Sequence, residues 1–247
     1  MKVHFGTDHF TNISSPVVTA GTFDGVHVGH KKILNRIISI AKEINGESVL
    51  LTFEPHPRKV LLNETNLKLI NTLNEKIQLL DQFGLDHLVV YPFNLDFSRI
   101  LPNSYVRDLL VKELNVKTLV IGYDNHFGRN REGNIDLMDE LAVLYDFNLV
   151  EIPPQEIDEI KISSTKIRQA IFNGQIKVAN EYLGHEFSLL GTVITGNKIG
   201  RTIGFPTANL KIDDQDKIIP ANGVYAVLVR ADNRWRRRSC RRRSASS

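Results

Sequence analysis

The stretch Thr19–Lys32, T-A-G-T-F-D-G-V-H-V-G-H-K-K, decides how the rest of the chain reads. It follows a short β-branched run, Pro16-Val17-Val18-Thr19, which reads as a buried strand. It leads into an amphipathic helix with Ile33, Leu34, Ile37, Ile38 and Ala41 on one stripe. Glycines and histidines therefore stand on a strand–turn–helix junction. Gly21, Gly25 and Gly29 carry no Cβ and let the backbone approach a ligand closely. The helix N-terminus presents free N–H groups and the positive end of its dipole, which suits a phosphate. His27 and His30 flank Gly29, and Lys31 and Lys32 add positive charge. Neither G-x-x-x-x-G-K-[ST] nor G-x-G-x-x-G is present at this junction.

Outward from it, strand and helix alternate over roughly residues 14–184. The first strand is Val17–Ala20, and the helix after it ends near Asn45-Gly46, with the glycine as C′ residue. Ser48–Phe53 is a second buried strand, followed by Glu54-Pro55-His56-Pro57, a rigid loop that cannot be helical. Thr72-Leu73-Asn74-Glu75 is a capping box opening a helix that closes at Gly84. His87–Tyr91, Thr118–Ile121 and Asn148–Ile152 are further strands. Helices are expected over Pro102–Leu114 and near Ile135–Tyr145, with a short one over Ile176–Leu183 that ends at Gly184. The strands are near-continuous apolar runs, which argues for a parallel sheet covered by helices on both faces. Ligands of such sheets bind beyond the carboxyl ends of the strands, where each motif of this unit falls.

Three further stretches carry chemistry. Gly122-Tyr123-Asp124-Asn125-His126-Phe127-Gly128-Arg129-Asn130 follows the fourth strand and offers a carboxylate, amides, a histidine and an arginine. A polar surface loop would look the same. Ile162-Ser163-Ser164-Thr165-Lys166-Ile167-Arg168 follows the fifth strand, and its hydroxyls and N–H groups suit phosphate. Arg168, one turn in, adds a charge-assisted bond. Helix capping alone would also account for the serines. From Phe187 the pattern changes to short β runs between glycine turns, as in Gly191–Gly196, Gly200–Leu210 and Pro220–Val229. That suggests an antiparallel, hairpin-rich domain or small barrel.

H-x-G-H at His27–His30 resembles the signature of the nucleotidyltransferase superfamily, whose paired histidines hold ATP phosphates. The longer G-T-F-D-G-V-H-V-G-H is similar to one branch, the prokaryotic FAD synthetases (FMN adenylyltransferases), usually fused to a riboflavin kinase. Ile162–Arg168 resembles the superfamily's second phosphate motif, I-S-S-T-x-I-R. The T-F-x-P-H-P segment is matched through His56, on the flavin side of the site. Gly122, Asp124, Phe127 and Gly128 match G-x-D-F-x-F-G, with Asn125 standing where the family usually carries an aromatic residue. The string ending G-F-P-T-A-N-L resembles the riboflavin kinase signature, in which Thr and Asn bind Mg²⁺ and nucleotide phosphate; here these are Thr207 and Asn209.

The resemblance implies a Rossmann-like nucleotidyltransferase domain over 1–184 and an antiparallel β-barrel domain, incomplete, over 185–233. It implies ATP, FMN and riboflavin as substrates and Mg²⁺ as cofactor. His27, His30 and Arg168 would be catalytic. Gly21, Phe23, Asp24, Gly25, Gly29, Ser163, Ser164 and Thr165 would hold ATP, and His56, Asp124 and Asn125 flavin or nucleotide. Two rivals stay open: a related transferase acting on a pantetheine or nicotinamide precursor, and a non-catalytic flavin-nucleotide binder.

Composition bounds the remainder. Hydrophobic content of 42% over 247 residues supports a real core and one large or two smaller domains. No apolar run reaches membrane-spanning length and no signal-peptide pattern opens the chain. Cys240 is the single cysteine, so a cytoplasmic location is the default and an intrachain disulfide framework is excluded. Seven arginines (234, 236–238 and 241–243) produce the net charge of +3; without them 24 basic residues face 28 acidic ones. The body is then mildly acidic and gives no reason to expect a nucleic-acid partner. A monomer or weak homo-oligomer acting on small molecules is expected. After Asp232-Asn233 the string W-R-R-R-S-C-R-R-R-S-A-S-S does not read as a core strand. A basic arm for anionic partners is one reading; a disordered, non-native tail over 234–247 is the preferred one, with the kinase-like domain cut short and inactive.

Overall fold

The computed structural model describes residues 1–62, 66–123, 125–153, 162–195, 207–231 and 234–242. The chain packs as two compact units: residues 1–67 with 73–163, and residues 68–72 with 164–247.

The first unit is a six-stranded parallel sheet. Its strands are β1 (Lys2–Phe5), β2 (Val17–Ala20), β3 (Ser48–Glu54), β4 (His87–Pro92), β5 (Thr118–Gly122) and β6 (Asn148–Ile152). Their spatial order is β1-β4-β3-β2-β5-β6. Every pairing is parallel. From β2 the chain builds outward through β3 and β4, then returns to β5 on the other side. The topological switch lies between β2 and β5, where open α/β sheets place their ligands.

The apolar runs of the strands have a direct cause. Neighbouring residues point to opposite faces. Val18, Val49, Leu51, Val89, Leu119 and Ile121 belong to one buried cluster, with Val106, Leu109, Leu110, Met138 and Leu141. Val17, Leu50, Leu88, Val90 and Val120 belong to the other, with Leu34, Ile37, Ile40, Ala41 and Leu80. Both faces are thus covered by helices: α1 (Val28–Glu43) and α3 (Leu73–Asp81) on one, and the 102–113 segment with α6 (Ile135–Tyr145) on the other. Each fully buried aliphatic side chain contributes roughly 1.5–3 kcal/mol. Short helices α2 (Pro57–Leu61) and α4 (Leu95–Ser98) follow β3 and β4.

Several local expectations need correction. The C′ residue after α1 is Asn45, with φ of 51°, not Gly46. Asparagine tolerates the left-handed conformation. Gly46 is needed for a different reason, since a Cβ there would run into the Ser15 carbonyl oxygen. The loop at Glu54–Pro57 is non-helical only to His56: Pro57 opens α2 at a position where its missing N–H costs nothing. The helix expected over Pro102–Leu114 exists, but only Pro102–Ser104 (α5) is α-helical; Tyr105–Glu113 winds as a π-helix. Tyr105, Leu109, Leu110 and Leu114 are all buried, and the wider turn sets these spacings against one core. Strand β1, outside the expected 14–184 span, pairs with β4 at the sheet edge.

The second unit contains α7 (Ser164–Phe172) and α8 (Ile176–Leu183), which the sequence reading assigned to the first domain. The Ala221 N–H donates to the Ile171 carbonyl, which ties α7 to the later chain. Its strands form two antiparallel ribbons, β7 (Thr192–Ile194) with β8 (Asn209–Lys211), and β9 (Gly223–Ala231) with β10 (Arg234–Arg242). Residues 234–242 are therefore a paired strand and not a disordered tail. Ladder hydrogen bonds are made by the backbone, so an arginine-rich segment can pair register by register, Arg234 with Ala231 through Arg242 with Gly223. Lys217 is buried, donates to the Ile70 carbonyl at 2.6 Å and lies 4.6 Å from the Phe187 ring centroid.

Candidate active site

The site is built on the turn between β2 and α1. Phe23 and Val26 have φ of 46° and 41°, and Gly25 has φ of 90°. A β-branched residue in the left-handed region is a costly conformation, held only where the surroundings demand it. Here the Val26 N–H donates to the Phe23 carbonyl at 3.2 Å, closing the turn, and both side chains are buried.

His27 is the N-cap of α1. Its Nδ1 accepts from the His30 N–H at 3.4 Å, and the His30 Nδ1 accepts from the His27 N–H at 3.3 Å. This is a capping box made by two imidazoles in place of the usual hydroxyl and carboxylate. The rings stack at a centroid distance of 3.6 Å and an interplanar angle of 16°. Phe23 also stacks on His30, at 4.5 Å. A Cβ on Gly29 would lie 3.3 Å from the His27 ring, so this glycine makes room for the histidine stack itself.

Burial pushes His27 down to about 4, with Asp24 pulling partly the other way. His30 is lowered well below its usual range, first by burial, then by His27 and Lys76. Both rings are neutral at pH 7. With each Nδ1 accepting a backbone N–H, the network assigns the proton of each neutral ring to Nε2. Two Nε2–H donors on one helix N-terminus can serve an anion without bringing positive charge into a buried place.

The other predicted residues fall as follows. Gly21, Phe23, Asp24, Gly25 and Gly29 share this turn. Asp24 is buried and its carboxylate acts on His27 and Lys76, which makes it an internal counter-charge. Lys31 lies 5.5 Å from the Phe83 ring centroid. His56 follows β3, next to β2 in the sheet, and is the N-cap of α2, its Nδ1 accepting from the Arg58 N–H at 3.2 Å. Asn125 follows β5, across the topological switch, and its N–H donates to the Gly122 carbonyl at 3.0 Å. Asp124 lies outside the described residues. In the same loop Phe127 is buried and Gly128 has φ of 71°, with Pro102 only 2.8 Å from where a Cβ would sit. Ser163 precedes α7, Ser164 and Thr165 open it, and Arg168 is buried one turn in. These residues belong to the second unit, apart from Ser163. Thr207 and Asn209 are exposed, Asn209 being the first residue of β8.

Sequence reasoning missed Lys76. It lies on α3, is 5% exposed, and donates to the Thr22 carbonyl at 2.8 Å. A capping box announced its helix, but no motif marked this lysine. Among the described residues, no group of three or more histidine, cysteine or acidic side chains is placed to hold a metal ion.

Comparison with known proteins also separates two segments of the chain. A model of the FAD synthetase family matches residues 10–166, and a model of the riboflavin kinase family matches residues 183–242. The chain is 40% identical over 232 residues to the bifunctional riboflavin kinase/FMN adenylyltransferase of Buchnera aphidicola subsp. Schizaphis graminum, covering 93% of this chain and 73% of that protein. It is 39% identical to the protein of the same name from Listeria monocytogenes, over 92% of this chain and 71% of that one. A crystal structure described as a macrolide-efflux protein from Streptococcus pneumoniae is 30% identical, with a TM-score of 0.86, covering 98% of this chain and 79% of that one. Among the described residues no helix is long and apolar enough to cross a membrane.

Proposed function

The chain belongs to the FAD synthetase family, and from that premise we propose that its first unit transfers AMP from ATP to FMN, giving FAD and pyrophosphate. The observation that carries this is the stacked His27–His30 pair, neutral and with both Nε2–H groups left to donate, at the N-terminus of α1. An FMN phosphate oxygen attacks the α-phosphorus of ATP, and the bond from that phosphorus to the bridging oxygen of the β-phosphate breaks. Pyrophosphate takes the bonding pair. No protein nucleophile is required, so catalysis is positioning and charge stabilisation. His27 and His30 donate to phosphate oxygens as negative charge develops, from a preorganised turn that does not have to rearrange. Gly21, Gly25 and Gly29 belong to that turn, and the stack of Phe23 on His30 orients the second imidazole.

Ser163, Ser164, Thr165 and Arg168 are proposed as further phosphate ligands on the strength of their motif. His56, Asp124 and Asn125 are proposed for flavin or nucleotide groups. Thr207 and Asn209 would hold Mg²⁺ with nucleotide phosphate in the second unit; their hydroxyl and amide oxygens are hard donors that suit this ion. Mg²⁺ supplies neutralisation of phosphate charge when bound. We place the functional boundary at residue 184, with the riboflavin kinase-like segment beginning at 185 and including β10. The family models break between residues 166 and 183, which supports this division.

The test is incubation of the chain with FMN, ATP and Mg²⁺, with chromatography for FAD and a coupled assay for pyrophosphate. FAD with an equal amount of pyrophosphate is the expected result. Tight flavin-nucleotide binding with no pyrophosphate would make the protein a binder instead.

A further inference from the structure

Lys76 stands beneath the histidine turn and is absent from every motif that led to the site. Its Nζ donates to the Thr22 carbonyl at 2.8 Å and lies 3.4 Å from the Thr52 Oγ1. The Thr52 hydroxyl in turn donates to the same Thr22 carbonyl at 3.2 Å. The three groups close a triangle that joins α3, the end of β3 and the first residues of the turn. Thr52 is fully buried and Lys76 nearly so. A lysine pays a large desolvation cost in such a place and stays only where its donors and charge are answered.

The charges that answer it are specific. Asp24, in the turn, and Glu54, at the end of β3, both favour the ammonium, while burial alone opposes it. On the third side the ammonium acts on His30 of α1, which stacks on His27. The lysine thus couples the buried carboxylate of the turn to the second imidazole of the pair. Removing it would take that charge away from Asp24 and Glu54 and would favour protonation of His30.

We infer that Lys76 is a positioning residue for adenylyl transfer: by holding the Thr22 carbonyl against Thr52 it sets the turn on which His27 and His30 present their Nε2–H donors. This rests on the adenylyl-transfer reading above, and its test has a readout that does not depend on it. Lys76→Gln and Lys76→Met remove the charge, Lys76→Arg retains it, and Thr52→Val removes the hydroxyl while leaving the lysine. Ring ¹⁵N NMR of the histidines follows their titration and tautomers in each protein, beside kcat and KM for FAD formation from FMN.

In folded Lys76→Gln, the titration of His30 moves upward. The acid limb of the kcat profile moves with it, kcat falls at least tenfold, and the KM for ATP changes less than threefold. Lys76→Arg recovers part of the turnover and leaves the histidine titrations near their original place. Titrations that coincide with the parent protein, with kcat within twofold, would overturn the inference. If both neutral variants fail to fold, Thr52→Val decides it. A three- to tenfold loss of kcat with unmoved histidine titrations supports the role, and parental turnover refutes it. If the parent protein makes no FAD, the adenylyl-transfer reading fails, while the histidine shift in Lys76→Gln still reports on the geometry.

Discussion

At the scale of single residues, the histidine pair carries the consequences that are easiest to measure. Each Nδ1 is occupied by a backbone N–H, so replacing His30 removes one Nε2–H donor and one half of the cap together. His30→Ala should lower kcat for FAD formation by on the order of 10²-fold or more, as loss of one transition-state donor does. Near-normal turnover in steady-state assays would remove His30 from the mechanism. The same burial sets a pH dependence of stability. His27 is lowered to about 4 in the folded chain, against 6.5 when exposed. The unfolded chain therefore binds the extra proton first as the pH falls. Stability contributed by the neutral His27 is complete above about pH 6.5 and is lost progressively as the pH drops toward 4, a loss of roughly 3 kcal/mol. His30 pushes in the same direction. Urea denaturation at pH 7.5, 6, 5 and 4.5 should show this decline, and a shallower one in His27→Asn. The motif announced the two imidazoles and their place at a helix N-terminus. It carried no information about their neutral state, because burial comes from the packed core and the charge that acts on His30 comes from Lys76, distant along the chain.

At the scale of elements, the glycine of the loop after β5 and the helix stripe on α1 give two stability predictions. Gly128 has φ of 71° and would place a Cβ 2.8 Å from Pro102. Gly128→Ala then combines left-handed strain with a backbone clash, and a loss of about 1–3 kcal/mol is expected in thermal or chemical denaturation. Ile37 is fully buried among Val17, Leu50 and Leu88 on one face of the sheet. Ile37→Ala should cost about 2–5 kcal/mol, since a side chain between a helix and a close-packed sheet leaves a cavity that cannot collapse fully. The strands after residue 14 and the principal helices of the first unit were legible because their apolar runs and caps are local signals. The π-winding of Tyr105–Glu113 was not, since it is settled by packing against the sheet. Edge strand β1 escaped because Lys2–Phe5, exposed at both ends and half-buried between, show no apolar run.

At the scale of the whole molecule, two family models match successive segments of the chain, and the relatives from Buchnera aphidicola and Listeria monocytogenes carry two activities in their name. Mg²⁺ commonly keeps its waters and binds through substrate phosphates, and the same is expected here. Excess EDTA should abolish FAD formation from FMN and ATP, and added Mg²⁺ should restore it; EDTA-insensitive turnover would refute this. The compact units do not divide where the motifs do. Helices α7 and α8 pack with the later chain through contacts such as Ala221 N–H to the Ile171 carbonyl, and residues 68–72 join them.

What the sequence determined by itself is what depends on residue type and short spacing: a parallel α/β unit, a histidine turn ahead of α1, and a β-rich second unit. Apolar periodicity, caps and glycine positions act over a few residues and survive being read one window at a time. What only the tertiary structure decided depends on partners far apart in the chain. The pairing of arginine-rich β10 with β9 rests on backbone ladder bonds that composition does not report. The neutrality of His27 and His30 rests on desolvation by the packed core. The placing of Lys76 beneath Thr22 rests on α3 and β3 meeting at the turn, because a buried ammonium is tolerable only where folding has gathered its acceptors and counter-charges around it.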